Sequence, residues 1–118
     1  MATSKLYLRA ASFYGATSVA AAAYGAHATK EMDPVLRTTF ANGNKLHMVH
    51  SVALYAGAAS SAAKTVRFPR ATLALFSLGI AVFSGSCYAA ALSGDRAMGR
   101  LAPLGGTTLI AAWMSLAI

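Results

Sequence analysis

Charged residues are scarce in this sequence. They make up 11% of its 118 residues, whereas soluble domains carry about 25%. Those present are clustered, which leaves four charge-free stretches at 10–29, 46–63, 71–94 and 101–118. A helix that spans a membrane needs about 20 mostly apolar residues, with a range of roughly 17–25. Four such stretches in so short a chain exclude a soluble domain with a single core.

Acidic residues are rarer still: three stand against ten basic residues, and none precedes Glu31. The basic residues fall in short links between apolar stretches, where lipid head groups are the nearest anions. We therefore expect membrane lipids as partners and no nucleic acid. A basic, acid-poor N-terminus is typical of a mitochondrial address, which favours the mitochondrial inner membrane. A secretory signal peptide with a cleavage-like site at Ala20-Ala21-Ala22 is the alternative.

The chain also lacks the usual signs of catalysis. A lone cysteine, Cys87, excludes an internal disulfide, and its apolar surroundings favour a small buried side chain over a reactive thiol. No Walker loop, nucleophile elbow, paired carboxylates or Cys-x-x-Cys motif occurs, and the links are too short for an extramembrane lobe. The sequence predicts a protein that is not an enzyme and holds no cofactor or metal.

These patterns predict an all-α fold, a four-helix transmembrane bundle that forms one domain over 1–118 with both termini on one side. Asp33-Pro34 resembles an N-cap followed by proline in the first helical turn, so a short helix should begin there and lead into the second span. Asn42-Gly43-Asn44 is also a turn signal, which leaves open a continuous helix or a break at Gly43. The spans are expected near 9–28, 46–64, 70–93 and 98–117.

Small residues recur every fourth position along the third span. Close backbone approach is the main source of attraction between helices in lipid, so this stripe is expected to face another helix. Gly85→Leu should then destabilise the bundle by about 1–3 kcal/mol. Gly105 and Gly106 would allow a similar approach near the start of the fourth span. The stripe comprises Ser77, Ala81, Gly85 and Ala89.

The three histidines are the most unusual polar residues near the membrane region. His47 and His50 are three residues apart and share a helix face, which Asn44 extends, while His27 ends the first span on the same side. We expect a structural polar cluster of His27, Asn44, His47 and His50. His47 or His50 should point inward and bond Tyr24–His27, or a hydroxyl on span three or four, because an unmade hydrogen bond in a dry interior costs about 1–3 kcal/mol.

Four segments resemble the transmembrane protein 256 family in order and spacing. That family consists of small four-span membrane proteins with no assigned activity, so the resemblance implies the topology and no reaction, cofactor or substrate. Gly43 is a departure, because animal members tend to have alanine there. The segments are Tyr24-Gly25-Ala26-His27-Ala28, Phe40 to Leu54 with its Gly-Asn-Lys-x-His-x-x-His-Ser core, Ala91-Leu92-Ser93-Gly94-Asp95, and Leu101-Ala102-Pro103-x-Gly105-Gly106-Thr107.

Three functions compete. The favoured one is an accessory or structural subunit that packs against other subunits of a larger membrane complex. A small oligomeric transporter or channel would need a wet cavity lined by Asn44, His47, His50 and Ser84 or Thr107. A metal or haem carrier would bring His27, His47 and His50 together as ligands.

Overall fold

The computed structural model describes residues 2–118 and is all-helical over that range, with no strand. It contains four α-helices, which confirms the predicted fold class. These are α1 (Ala2–Ala28), α2 (Pro34–Ala62), α3 (Pro69–Ser93) and α4 (Ala102–Ser115), with a 3₁₀ turn at Arg96–Gly99 before α4.

The second helix is continuous through Gly43. The short leading helix and the second span are one element of 29 residues, and the break at Gly43 does not occur. A turn signal within a helix is overridden when packing rewards the helix. Gly43 is buried against α3, and a Cβ there would lie 2.6 Å from the Cβ of Cys87. The missing side chain allows this close approach.

The fourth helix is shorter than predicted. Gly94 takes a left-handed conformation (φ 74°) and ends α3, as glycine commonly does after a helix. Asp95 then accepts a hydrogen bond from the Ala97 backbone N–H at 2.9 Å and so caps the 3₁₀ turn. Proline opens the first turn of α4. Because of the helix end at Gly94 and the capped 3₁₀ turn, α4 begins at Ala102 and not near residue 98 as expected.

Long-range hydrogen bonds fix how the helices align. The Tyr7 hydroxyl donates to the Pro69 carbonyl at 2.6 Å, so the N-terminal ends of α1 and α3 are level. Thr72 and Ser115 hydroxyls pair at 2.7 Å, which places the end of α4 beside the start of α3. Both chain ends therefore lie at the same end of the bundle, as predicted. The bundle is a slab of 47 × 24 × 16 Å, with α2 and α3 between α1 and α4.

Glycines mark the close crossings, but Gly85 is not among them. A Cβ at Gly105 would lie 2.3 Å from the Phe83 backbone nitrogen, and one at Gly79 would lie 2.5 Å from the Leu109 side chain, so α3 and α4 meet there. A Cβ at Gly85 would meet nothing within 4 Å. Our prediction that Gly85 packs against a helix is wrong, because α1 lies on α2 at this level and leaves that face of α3 open.

The rest of the predicted stripe follows the same pattern. Ala81 is exposed, whereas Ser77 and Ala89 are half-buried. Only Ser77 is tied to α1, through its carbonyl, which accepts from the Tyr14 hydroxyl at 2.7 Å. A Cβ at Gly106 would lie 3.7 Å from the Phe83 ring, at ordinary contact distance. The four residues of the stripe do share one face of α3, but the buried face of this helix lies beside that face.

One helix, α3, is long and apolar enough by length and composition to cross a membrane. The other three predicted spans do not reach that standard. α4 has 14 residues, about 21 Å, and α1 and α2 are diluted by small, hydroxylated and polar residues. Large apolar side chains nevertheless remain exposed on all four helices, for example Phe13, Val52, Leu78 and Ile110.

Candidate functional site: a polar chain across the bundle

His47 lies near the middle of α2 and points into the bundle. It is 6% exposed. Its Nε2 lies 3.0 Å from the Thr17 hydroxyl of α1, and its Nδ1 lies 2.8 Å from the Tyr88 hydroxyl of α3. The imidazole therefore joins three helices. The predicted inward orientation and hydroxyl partner on span three are present, but the partner on α1 is Thr17 and not the Tyr24–His27 segment.

Asn44 extends this contact one turn towards the start of α2. Its amide donates to the Ser18 carbonyl at 3.0 Å and to the Tyr88 hydroxyl at 3.2 Å. Tyr88 thus receives a hydrogen bond from Asn44 and still has its own hydroxyl hydrogen to donate. These contacts form the polar chain, which we define as Asn44, Tyr88, His47 and Thr17.

The polar chain has one direction in which every donor finds an acceptor. Thr17 can donate its hydroxyl hydrogen to the Phe13 carbonyl, 2.9 Å away, and then accepts from His47 Nε2–H. His47 Nδ1 is left to accept from Tyr88, which accepts from Asn44. Reversing the order would leave the Tyr88 hydrogen without an acceptor in the chain. The arrangement specifies a neutral His47 that carries its hydrogen on Nε2.

His50 forms a second polar contact one turn later. Its Nδ1 faces the Leu46 carbonyl at 2.7 Å, which can only accept, and its Nε2 faces the Trp113 indole nitrogen at 3.0 Å, which can only donate. His50 is therefore neutral with its hydrogen on Nδ1. Its ring also packs near Phe76, with the centroids 5.9 Å apart. This contact ties α2 to α4, although Asn44 and His47 take no part in it.

His27 does not join the other histidines. It is exposed at the end of α1, ten residues beyond the Thr17 that contacts His47, or about 15 Å along the helix. The predicted four-residue cluster is therefore wrong in this member. The error arose because α2 was expected to enter the membrane near 46, whereas it begins at Pro34 and carries His47 deep into the bundle. Residues 2–118 contain no group of three potential metal ligands, and the separation of the histidines contradicts the carrier hypothesis.

An open groove runs beside the polar chain, between α1 and α3. It has a volume of about 330 Å³. Its floor includes His47, Ser84 and Tyr88, and its walls are the exposed Phe13 and half-buried residues of α1 together with Ala81 and Gly85 of α3. The groove opens sideways and is not the internal channel cavity that the transporter hypothesis requires. Thr107 is exposed on α4 and donates to its own helix.

The sequence identified the two central histidines but not the residues that hydrogen-bond them. Tyr88, Thr17 and Trp113 carry the contacts but were not singled out. One available signal was the presence of polar-tipped aromatics inside charge-free stretches, because buried Tyr and Trp usually find a hydrogen-bond partner. The pairing itself depends on helix register, which no local pattern encodes.

Comparison with known proteins bears on this architecture. A family profile described as "Protein of unknown function (DUF423)" matches residues 21–106, which includes the whole polar chain except Thr17. A UPF0382 membrane protein of Haemophilus influenzae is 31% identical over 112 residues, covering 94% of this chain and 90% of that protein. The chain belongs to the DUF423 family.

Other DUF423 relatives agree with this assignment. A UPF0382 membrane protein of Staphylococcus haemolyticus is 30% identical over 115 residues, covering 97% of this chain and 93% of that protein. No solved structure matches. The matches support a small membrane-protein family and do not carry the transmembrane protein 256 name. Both relatives are bacterial, and because bacteria have no mitochondria, they argue against the predicted mitochondrial location.

Proposed function

We propose that this DUF423 protein is an integral membrane protein without catalytic activity, whose four helices cross the bilayer and pack against other subunits of a larger assembly. One observation carries the proposal. Among residues 2–118, no buried side-chain nitrogen or oxygen lacks a hydrogen-bond partner. Both central histidines join α2 to other helices and have both ring nitrogens hydrogen-bonded, so neither is left as a free base. Fully satisfied polar networks make a core rigid and specific.

The surface supports a lipid environment. Apolar side chains as large as Phe13, Val52 and Ile110 are each more than 60% exposed, and such exposure on every helix is expected where the solvent is lipid. The charged residues are all exposed and all but a few lie near helix ends or in links. The names of the two bacterial relatives also point to a membrane.

The α1–α3 groove supports a packing role. Small residues line its α3 wall, and small faces allow helices to approach closely in lipid. A helix from another subunit would fill this groove without displacing any hydrogen bond of the polar chain. The proposal names no specific partner, because the bacterial relatives carry no functional name.

Native electrophoresis in a mild detergent tests the proposal. The tagged protein should resist alkaline extraction from membranes and then migrate with other polypeptides well above its 12.1 kDa mass. Gly85→Leu should weaken that association by filling the groove, whereas Ala74→Leu, also exposed on α3, is the matched control. Release by alkali, or migration as a lone chain, would contradict the proposal.

A further inference from the structure

A second cleft lies between α2 and α4, at the end of the bundle that carries Asp33 and the 3₁₀ turn. It has a volume of about 370 Å³. It exists because α4 begins only at Ala102 and lies against α3, while the first turns of α2 continue beyond it. Its inner walls are apolar and include Phe83, Cys87, Ala102 and Pro103.

The lining of the cleft also includes two polar side chains, those of Arg96 and Asn42. The Arg96 guanidinium bonds Asp33 at 2.9 Å across the mouth, yet its side chain is 65% exposed. Because a guanidinium has five N–H donors and this contact uses one, Arg96 retains donors for a further anion. The Asn42 amide makes no hydrogen bond within residues 2–118.

Lys45 adds an unpaired cation one turn deeper. It shares a helix face with Asn42, three residues earlier, and makes no ion pair in the part of the chain described. It lies eight residues beyond Arg37, whose guanidinium bonds the Thr29 and Lys30 carbonyls at the rim. That separation is about 12 Å along α2. Lys45 is not among the residues that line the cleft, so it serves as a comparison for Arg96.

We propose that the α2–α4 cleft binds one anionic phospholipid, and this inference rests on the proposed membrane location. The phosphate lies at the mouth, where it accepts hydrogen bonds from the Arg96 guanidinium. One acyl chain occupies the apolar inner part beside Phe83 and Pro103. A cation on a lipid-facing surface is costly unless an anion or water reaches it, and a head group at the rim supplies that anion.

A bound lipid fits these features better than a carboxylate from another protein does. The cleft combines a guanidinium with unused donors at its rim and an apolar slot, which matches the two parts of one lipid molecule. Basic pockets between helices at the membrane surface commonly hold anionic head groups. The opposite rim is more basic overall, because it carries Arg67 and Arg70 and all three acids lie on the cleft side. General attraction would therefore favour the other rim, which gives a control.

Native mass spectrometry of the detergent-solubilised full chain tests the site with phosphatidylglycerol and phosphatidylcholine as probes. The wild type should retain one phosphatidylglycerol in preference to phosphatidylcholine. Arg96→Gln should raise the dissociation constant about fivefold, the usual effect of one basic residue near a head group. Lys45→Gln removes a charge from a residue that does not line the cleft and should leave binding largely unchanged. Arg70→Gln removes the same charge at the opposite rim and should leave this tightly held lipid unchanged.

Two further variants separate the site from indirect effects. Asp33→Asn removes the ion pair but frees Arg96, so binding should strengthen; a loss equal to that of Arg96→Gln would show that only the ion pair matters. Ala102→Phe fills the slot without changing charge and should weaken binding. Equal retention of the two lipids, or equal losses in Arg96→Gln and Arg70→Gln, would overturn the inference. Release of the wild type from membranes by alkali would instead defeat the proposed function.

Discussion

At the scale of single residues, the Tyr88 hydroxyl is the joint of the polar chain. It accepts from Asn44 and lies 2.8 Å from His47 Nδ1, so one oxygen serves two side chains of α2 from the neighbouring helix. Removing the Tyr88 hydroxyl would leave both Asn44 and His47 without this hydrogen-bond partner. The free-energy penalty of a buried polar group left without a partner is larger than the net stabilisation that its hydrogen bond contributed.

Tyr88→Phe should therefore lower the free energy of unfolding by about 1–3 kcal/mol. The ring and its packing against Phe40 are retained, so the loss reports the hydroxyl. Thermal unfolding in detergent, followed by circular dichroism, measures it. Tyr55→Phe is the control, because Tyr55 is 66% exposed. Equal melting temperatures for the two variants would contradict the assigned role of the polar chain.

Trp113→Phe should also destabilise the protein, by about 1–2 kcal/mol, because His50 Nε2 then loses its donor. The Trp113 ring is about half exposed, so little of the loss comes from apolar burial. Chemical unfolding monitored by helix content measures the change. Met114→Leu, at the adjacent exposed position, should be neutral. An unchanged stability of Trp113→Phe would remove the His50 contact from the account of the fold.

The residue scale was only partly predictable. The shared face of His47 and His50 followed from their spacing, and the inward orientation followed from the cost of an unmade hydrogen bond in a dry interior. The identity of the partners did not, because it depends on which turn of α1 or α4 lies level with each histidine. His27 was misplaced for the same reason: the sequence shows where apolar stretches begin, but not how far helices slide past one another.

At the scale of helices, the glycines of α3 and α4 have two different roles. Gly105 lies against the backbone of α3, whereas Gly85 faces the open groove. The small-residue repeat at every fourth position contains the open Gly85, whereas the packed Gly105 has leucine at both such positions, so spacing alone did not identify the packed glycine. The continuity of α2 through Gly43 was an open question for a similar reason, since only the contact with Cys87 decides it.

Alanine substitutions at these glycines should have opposite effects. Gly105→Ala places a methyl group too close to the Phe83 backbone and should cost about 1–3 kcal/mol. Gly85→Ala meets open space and should stabilise α3 by roughly 0.5–1 kcal/mol, the difference in helix propensity. Melting temperatures of the isolated protein in detergent compare the two. Destabilisation by Gly85→Ala would show that its face is occupied within the single chain.

At the scale of the whole molecule, the up-and-down order of four helices was predictable, because the charge clusters divide the chain at the right places. The helix ends were less so: α2 begins at Pro34, as Asp33-Pro34 predicts, but α4 has only 14 residues instead of extending over about 98–117. Capping and packing set those ends, and hydropathy does not report either. The proposed crossing of the bilayer by all four helices makes a definite statement about the sides on which the links lie.

In sealed vesicles, single cysteines at Lys5 and Arg67 should react with a membrane-impermeant maleimide on one side, and a cysteine at Lys30 on the other. The alternation follows because each helix reverses the chain direction. Cys87 is buried, and its replacement by alanine provides the unreactive background. Labelling of all three positions from one side of intact vesicles would contradict the four-span topology, and labelling after permeabilisation confirms that each site is reactive.

The bond from Asn44 to Ser18 has a consequence for biosynthesis. Ser18 lies near the middle of the charge-free part of α1, but Asn44 lies just before that of α2. A translocon selects segments by hydrophobicity, so it would admit α2 with residue 46 near the bilayer boundary. In the finished bundle that residue lies level with the centre of α1. If all four helices cross the bilayer as proposed, we expect helix α2 to move along its own axis by about ten residues, or roughly 15 Å, after insertion. This sliding step would end when Asn44 reaches Ser18.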